Sequence, residues 1–236
     1  MKKISTLFLF LFLFGFINSY GLEAPRSYTQ KERQLMLDLY EIGILNFEVG
    51  SWKSYLPFSS PYYVDLRHIM SYPHIFKEVI LSFKNKASEL SFDSICGVPF
   101  AALPMAANLA YEIESPLIMR RNTRKEGGTN KKIEGLIVPH MSCLLIEDVV
   151  TTATSLFETI QDLEDEDIII SDCIILFDRQ QGGVEFAKEK GYNVHTIFTI
   201  TDFMYILQKE GKINSDFAEA VVNWTQKNQV PGVNWK

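Results

Sequence analysis

The sequence predicts an α/β fold in which a central, mostly parallel sheet is covered by helices on both faces. Short apolar runs, typical of strands buried on both faces, alternate along the chain with segments of helical periodicity. This alternation is the pattern of parallel sheets, because each parallel connection needs a crossover, usually a helix. A chain of 236 residues is long enough to form one domain with a substantial core.

The predicted elements follow one another in a regular order. Thr29 and Glu32 form a capping-box pattern that opens the first helix, whose apolar face carries Leu35, Leu39, Ile42 and Leu45. Residues 47–67 are predicted to be extended and irregular, and a second helix spans residues 72–90. The further strands are predicted at 94–100, 116–121, 143–146, 168–178 and 194–199, and the further helices at 101–111, 156–163, 187–190, 201–208 and 215–226.

Composition excludes several classes of function. The net charge of −6 argues against a nucleic-acid partner, because such proteins need a basic surface. Cys96, Cys143 and Cys173 all lie in apolar, strand-like runs, which predicts buried thiols and no disulfide framework. The four histidines are scattered without metal-ligand spacing, so a metal site built from side chains is not expected.

The amino-terminal segment, residues 1–21, has the pattern of a secretory signal peptide. Lys2 and Lys3 are basic, residues 7–16 are almost wholly Leu and Phe, and small residues precede Leu22. The pattern predicts cleavage after Gly21 and an exported protein. The alternatives are an uncleaved membrane anchor, or a wrongly chosen start codon and a cytoplasmic protein.

The most informative stretch is residues 143–155. A short apolar strand is followed by two adjacent acids, Glu147 and Asp148, and then by a hydroxyl-rich loop that leads into a helix. Backbone amides, hydroxyls and the positive end of the helix dipole suit a phosphate monoester. The two carboxylates suit the hydroxyls of a sugar, or a magnesium ion held through water. We interpret the stretch as a site for a phosphorylated sugar; the alternative is an ordinary N-cap beside solvated acids.

Two other loops extend this interpretation. Residues 122–134 are polar, contain Gly127 and Gly128, and include several cations, which predicts a mobile cationic lid beside an anion site. The alternative for this loop is a solvated surface hairpin. Residues 97–104 read Gly-Val-Pro-Phe-Ala-Ala-Leu-Pro, which resembles a loop that cradles pyrophosphate by backbone amides in the family named below. The alternative for these residues is a plain strand–turn–helix connection.

The motifs resemble those of a known family. The order of strand, two acids and Thr/Ser loop resembles the phosphoribosyl-pyrophosphate (PRPP) loop of type I phosphoribosyltransferases. The ending Asp178-Arg179-Gln180-Gln181-Gly182-Gly183 resembles orotate phosphoribosyltransferases in particular. Further matches to that group, and to the amino-terminal domain of uridine monophosphate synthases, are Lys53-Ser54, Ser60-Pro61-Tyr62-Tyr63 and Asp65-Leu66-Arg67. The resemblance covers about residues 29–212.

The resemblance implies a fold, an activity and an assembly. The fold would be that of type I phosphoribosyltransferases, with a small amino-terminal hood and a flexible catalytic flap, over a domain of residues 22–236. The activity would be transfer of ribosyl 5-phosphate from PRPP to orotate, which gives orotidine 5′-phosphate and pyrophosphate in pyrimidine biosynthesis. Mg²⁺ would arrive with PRPP and have no direct protein ligand. The protein would be a homodimer whose flap reaches the neighbouring site.

The resemblance also assigns roles to individual residues. The catalytic residues would be Lys125, Asp148 and Arg121. The residues that bind PRPP would be Glu147, Asp148, Val149, Val150, Thr151, Thr152, Ala153, Thr154, Ser155, Phe100 and Ala101. The residues that bind orotate would be Lys53, Tyr63, Thr151 and Arg179.

Several positions depart from the family pattern. Asn122 replaces a flap lysine, Gly127 replaces the His or Tyr of the flap, and Ala153 stands where the phosphate loop has Gly. If that last position requires a positive φ, alanine costs about 1–2 kcal/mol there. These departures and the apparent signal peptide support an alternative function. The alternative is an exported, catalytically weak protein that binds PRPP or a nucleotide.

Overall fold

The computed structural model describes residues 22–47, 60–121 and 131–230. The strands in chain order are β1 (Leu45–Asn46), β2 (Tyr63–Val64), β3 (Ser94–Gly97), β4 (Leu117–Arg120), β5 (Ile133–Glu134), β6 (Cys143–Val150), β7 (Asp172–Asp178) and β8 (Asn193–Thr199). The helices are α1 (Gln30–Glu41), α2 (Pro73–Ala87), α3 (Ala102–Glu112), α4 (Thr154–Glu164), α5 (Gly183–Glu189), α6 (Ile200–Lys209) and α7 (Ser215–Lys227), with a 3₁₀ turn at Ile69–Ser71.

Six strands form one sheet in the order β5-β4-β3-β6-β7-β8. Within this sheet the strands β4, β3, β6, β7 and β8 are parallel to one another, and the short β5 runs antiparallel to β4. The prediction of a mostly parallel α/β sheet is therefore confirmed. The capping box of α1 is also present, since the Thr29 side chain accepts from the Glu32 amide and the Glu32 carboxylate accepts from the Thr29 amide.

The central strand β6 shows why the apolar runs have no alternation. Leu144 and Ile146 enter the core on one face of the sheet, while Cys143 and Leu145 enter a second core on the other face. Helices α4 and α5 cover the second core, and α1, α2, α3, α6 and α7 cover the first. A strand buried on both faces needs apolar residues at every position. The three cysteines are buried free thiols, as predicted.

Four element boundaries differ from the predictions by four residues each, and the other differences are smaller. Helix α1 ends at Glu41, so Ile42 is its C-cap and Leu45 begins β1. Strand β6 continues to Val150, because residues 147–150 pair in register with Ile175 to Asp178 of β7. Glu147 and Asp148 therefore lie on the strand and not in a loop after it. Strand β7 begins at residue 172 and not at 168, although Ile169 forms an isolated bridge with Ser142. Helix α5 begins at residue 183 and not at 187, directly after the Asp-Arg-x-x-Gly-Gly motif.

Two short strand pairs were not predicted. Strand β5 pairs with β4 through Glu134 and Met119. In the amino-terminal part of the chain, β1 pairs antiparallel with β2, so that Asn46 lies opposite Tyr63. Both pairs are only two residues long, which is too short to give a period in the sequence.

Candidate functional site

Three adjacent parallel strands end at one edge of the sheet, and each continues into a segment that the sequence predicts to bind substrate. The ladder extends past the strands, since the Val98 amide donates to the Ile146 carbonyl at 2.9 Å and the Arg179 amide donates to the Val150 carbonyl at 3.0 Å. The turn after β3, the loop after β6 and the motif after β7 are thus neighbours. The carboxyl edge of a parallel sheet is where α/β proteins bind their ligands.

The loop after β6 has a left-handed residue at its tip. Ala153 has φ of 65° and ψ of 13° and precedes α4 without giving it a side-chain cap. The Thr152 and Thr154 hydroxyls lie 2.8 Å apart, and the Thr154 amide donates to the Thr152 hydroxyl at 3.4 Å. The first turn of α4 holds no acidic residue, so the positive end of its dipole is open to an anion. Thr151 and Thr152 are partly exposed and Ser155 is exposed, which leaves hydroxyl donors within reach of a ligand.

The backbone of Gly183 packs closely against the backbone of this loop. Its amide donates to the Thr151 carbonyl at 3.1 Å. A Cβ atom at position 183 would lie 2.6 Å from that carbonyl oxygen and 2.9 Å from the Ala153 nitrogen. Only glycine fits at such a close backbone approach. The Gly-Gly end of the Asp-Arg-x-x-Gly-Gly motif therefore fixes the position of the hydroxyl-rich loop.

The two acids of β6 differ in their surroundings. Glu147 is only 4% exposed, and its Oε1 accepts from the Asp148 amide at 3.1 Å. Burial raises the pKa of Glu147 well above its usual range, and the charge of Asp148 adds to this effect. Burial also raises the pKa of Asp148, but hydrogen bonds and the nearby charge of Arg67 act in the opposite direction. Asp148, which is partly exposed, is therefore the acid that more readily carries a negative charge.

Arg179 lies at the end of β7 in a buried position. Its Nη2 donates to the Ser60 hydroxyl at 2.9 Å, and its guanidinium lies 4.6 Å from the ring centroid of Tyr62. This cation–π arrangement holds the side chain in one orientation. Its Nε is buried with no hydrogen-bond partner in the described part of the chain. Because an unsatisfied buried donor is costly, this arginine is a candidate to bind an anionic ligand.

The segment from Ser60 to Arg67 lies over this edge of the sheet. Tyr62 is buried, and its hydroxyl lies 3.4 Å from the Arg179 carbonyl. Tyr63, which the resemblance assigns to the base, is partly exposed and its hydroxyl accepts from Arg67 at 3.2 Å. The structure thus brings Tyr63, Arg179 and the acids of β6 to the same region.

The turn after β3 carries Phe100 and Ala101. Phe100 is 72% exposed, and its carbonyl accepts from the Leu103 amide in the first turn of α3. A Cβ at Gly97 would lie 2.7 Å from the Ala102 carbonyl oxygen, so glycine allows α3 to pack closely on β3. Close packing places this turn beside the loop after β6.

Arg121 follows β4, and its Nε donates to the Glu134 carboxylate at 2.7 Å. Arg120, just before the predicted flap, and Lys132, near its end, both donate to Asp162 of α4. These contacts join the base of the flap to the helix that follows the hydroxyl-rich loop. Lys125, Asn122 and Gly127 of the flap, and Lys53 near the predicted base site, lie outside the described residues, so their roles stay predictions.

Sequence reasoning missed several residues of this region. Ser60 and Tyr62 contact Arg179, and Arg67 donates to Tyr63. Ser60, Tyr62 and Arg67 belong to motifs that are visible in the sequence, but the sequence does not indicate which residues they contact. Asp162 had no signal beyond its place in a helix. The supporting role of Gly183 follows only from the close approach of two backbones.

Comparison with known proteins agrees with this geometry. The family model described as "Phosphoribosyl transferase domain" matches residues 69–204. The uridine 5′-monophosphate synthase of Bos taurus is 37% identical over 202 residues, which cover 85% of this chain and 42% of that protein. The orotate phosphoribosyltransferase of Chlamydia caviae is 30% identical over 174 residues, which cover 73% of this chain and 84% of that protein. The chain thus spans less than half the length of the synthase.

Solved structures give the same result. The UMP synthase of Leishmania donovani superposes with a TM-score of 0.75 and 26% identity, over 83% of this chain and 42% of that one. The orotate phosphoribosyltransferase of Aeropyrum pernix superposes with a TM-score of 0.65 and 25% identity, over 76% of this chain and 99% of that one. The predicted fold, with its sheet and surrounding helices, is confirmed.

The prediction of an exported protein is wrong. The relatives are named uridine 5′-monophosphate synthases and orotate phosphoribosyltransferases, and they support neither an exported enzyme nor the alternative of an exported binding protein. Within residues 22–47, 60–121 and 131–230, no helix has both the length and the apolar character needed to cross a membrane. Residues 1–21 lie outside the described residues, so the domain boundary after residue 21 stays a prediction.

Proposed function

We propose, from the premise that the chain belongs to the phosphoribosyltransferase family, that it transfers ribosyl 5-phosphate from PRPP to N1 of orotate. The products are orotidine 5′-phosphate and pyrophosphate. The observation that carries this choice of base is Arg179, a buried arginine beside the phosphate loop whose Nε has no partner among the described residues. Its planar fork suits a carboxylate, and orotate is a pyrimidine that bears one.

The 5-phosphate of PRPP binds the loop of Thr151, Thr152, Ala153, Thr154 and Ser155. The left-handed Ala153 turns the chain into α4, which directs backbone amides and the helix dipole at the phosphate. Val149 and Val150 form the last part of the strand below the ribose. The backbone of Phe100 and Ala101, in the neighbouring turn, faces the pyrophosphate.

Glu147 and Asp148 accept hydrogen bonds from the ribose hydroxyls. In the reaction the bond between C1′ and pyrophosphate breaks, a bond between C1′ and N1 forms, and the N1 proton is lost to the departing pyrophosphate or to water. Because the old bond breaks ahead of the new one, positive charge develops on the ribose in the transition state. The ionised Asp148 stabilises that charge, and preorganised electrostatics of this kind is the largest single contribution in many enzymes. The more deeply buried Glu147 holds the ribose by hydrogen bonding.

Arg179 binds the carboxylate on one side of the base, and Tyr63 contacts the base from the other side. Lys53 and Thr151 complete the contacts. Cation–π packing on Tyr62 and the Ser60 hydroxyl keep the arginine in place before orotate arrives. A residue whose rotamer is fixed beforehand loses less entropy on binding.

Arg121 and Lys125 offset the negative charge on the departing pyrophosphate. In the described part of the chain, no cluster of three His, Cys, Asp or Glu side chains is placed to hold a metal ion. Carboxylate oxygens suit Mg²⁺, and Asp148, the acid that more readily carries a charge, would hold through water an ion that enters with PRPP. The bound ion would neutralise charge on pyrophosphate. We also propose a homodimer, in which the flap of one subunit serves the site of its partner.

The direct test is orotate consumption by the full-length protein with PRPP and Mg²⁺, measured together with pyrophosphate release. Equal amounts of orotate lost and pyrophosphate formed are expected. In Arg179→Met the KM for orotate should rise at least tenfold, while Arg179→Lys should recover only part of the loss, because lysine lacks the fork. Binding of PRPP without any loss of orotate in the wild type would contradict the proposed activity.

A further inference from the structure

Arg67 joins two side chains of the segment that covers the site. Its Nε and Nη2 donate to the two carboxylate oxygens of Asp65 at 2.8 and 2.7 Å. The same Nη2 donates to the Tyr63 hydroxyl at 3.2 Å. The guanidinium is therefore held by a bidentate pair and holds the phenol in turn.

The local backbone explains this arrangement. Side chains alternate along an extended segment, so residues 63 and 65 share one face. Arg67 lies in the turn that follows, and its side chain reaches both. The intervening residues are buried: Tyr62 is 1%, Val64 6% and Leu66 1% exposed. The Asp65 amide also donates to the Ile44 carbonyl at 2.8 Å, which fixes the segment against the chain before β1. The three polar side chains must therefore lie side by side on the outer face.

The direction of the hydrogen bond has a chemical consequence. Arg67 is a donor only, so the Tyr63 oxygen must accept from it, and the phenolic proton is directed to a different acceptor. A phenol that accepts from a cation is also a stronger donor, because hydrogen bonds in a chain polarise one another. Tyr62, the chain neighbour of Tyr63, has its ring centroid 4.6 Å from the Arg179 guanidinium, and the charge of Arg67 acts to lower the pKa of Asp148. The Arg67–Tyr63 pair therefore borders the site.

We propose that Arg67 is a positioning residue that fixes Tyr63 as a hydrogen-bond donor toward the carbonyl and carboxylate oxygens of the base. The inference rests on the proposed function and assigns to Asp65, Arg67 and Tyr63 a joint role in selecting an acidic pyrimidine. Asp65 holds Arg67, Arg67 orients Tyr63, and only Tyr63 touches the base.

A double-mutant cycle tests this relay. Arg67→Met and Tyr63→Phe should each raise the KM for orotate about tenfold, with kcat and the KM for PRPP changed less than about twofold. In the Tyr63→Phe background, Arg67→Met should raise the KM for orotate less than about twofold further, because the phenol it acts through is already gone. Lys84→Met is the control, since it removes an exposed ion pair with Glu112 away from the site, and it should change none of these constants.

The outcomes separate the two proposals. Full additivity of Arg67→Met and Tyr63→Phe, or an unchanged KM for orotate in Arg67→Met, would overturn the relay while leaving the transferase activity intact. A wild type that neither consumes orotate nor binds orotidine 5′-phosphate in calorimetry would overturn the proposed function, and the relay with it. Arg67→Lys should behave like Arg67→Met, because a single ammonium cannot hold Asp65 and Tyr63 with the same geometry.

Discussion

The amide of Gly183 donates a hydrogen bond to the carbonyl of Thr151 at 3.1 Å, and the space between the two backbones admits no side chain. Gly183→Ala should therefore push the phosphate loop outward. We expect a loss of about 1–3 kcal/mol in the free energy of unfolding, because overpacking forces the backbone to move. We also expect at least a tenfold rise in the KM for PRPP, measured by steady-state kinetics.

Gly191→Ala is the matched control for this substitution. Gly191 has φ of 97°, and no atom of the described chain lies within 4 Å of the position that a Cβ would take, so alanine adds backbone strain without touching the loop. Its melting temperature should fall, but its KM for PRPP should stay within about twofold of the wild type. Equal effects of both variants on KM would show that the loop does not depend on Gly183.

Ala153 holds a left-handed conformation that costs alanine about 1–2 kcal/mol. Ala153→Gly removes this strain but adds conformational entropy to the unfolded chain and loses a buried methyl group, so stability should change by less than about 1 kcal/mol. Ala153→Val should destabilise by about 2 kcal/mol or more, since β-branched residues are outliers at positive φ. Urea unfolding measures both. A neutral Ala153→Val would show that residue 153 is not left-handed in solution.

The acids of β6 should contribute unequally to turnover. Asp148→Asn keeps size and hydrogen bonding but removes the charge nearest the developing positive centre, and kcat should fall about 10²-fold or more. Glu147→Gln should cost much less, because burial already favours the protonated form of Glu147. Single-turnover measurements at neutral pH compare the two. A larger loss in Glu147→Gln would assign the charge to the other acid.

Asp178 makes stability depend on pH. Burial raises its pKa to about 7, although the Gln180 amide donates to its Oδ1 at 2.7 Å. The folded-state pKa of Asp178 lies above its unfolded value. The contribution of this residue to the free energy of unfolding is therefore complete below about pH 4 and is lost as pH rises toward 7. Asp178→Asn should remove this decline and raise the melting temperature at pH 8 by several degrees, with little change near pH 4. An identical pH profile in both proteins, measured by calorimetry, would contradict the assignment.

The sheet and the strand–loop–helix unit that begins with β6 could be predicted from the sequence because their signals are local. Each apolar run is continuous, and Glu147, Asp148 and the hydroxyl residues stand in one stretch. The contacts that orient the site are not local: Ser60 and Arg179 are 119 positions apart, and Arg120 and Asp162 are 42 apart. No pattern within one segment reports such pairs. The extension of β6 to Val150 was missed because acids are rare in buried strands; on the proposed function, these acids bind a ligand.

The backbone hydrogen bonds between the loop after β6 and the motif after β7 fix the distance between these two segments. Val150 accepts from Arg179 and Thr151 accepts from Gly183, so the start of the loop is fixed to the motif on both sides of residues 180–182. On the proposed function, the spacing from the phosphate site to the carboxylate site is set by this ladder and not by adaptable side chains. A ligand that joins both groups through one rigid ribose matches that spacing and gains the effective concentration of linked binding. We therefore expect the affinity of an inhibitor to depend first on the distance between its phosphate and carboxylate groups.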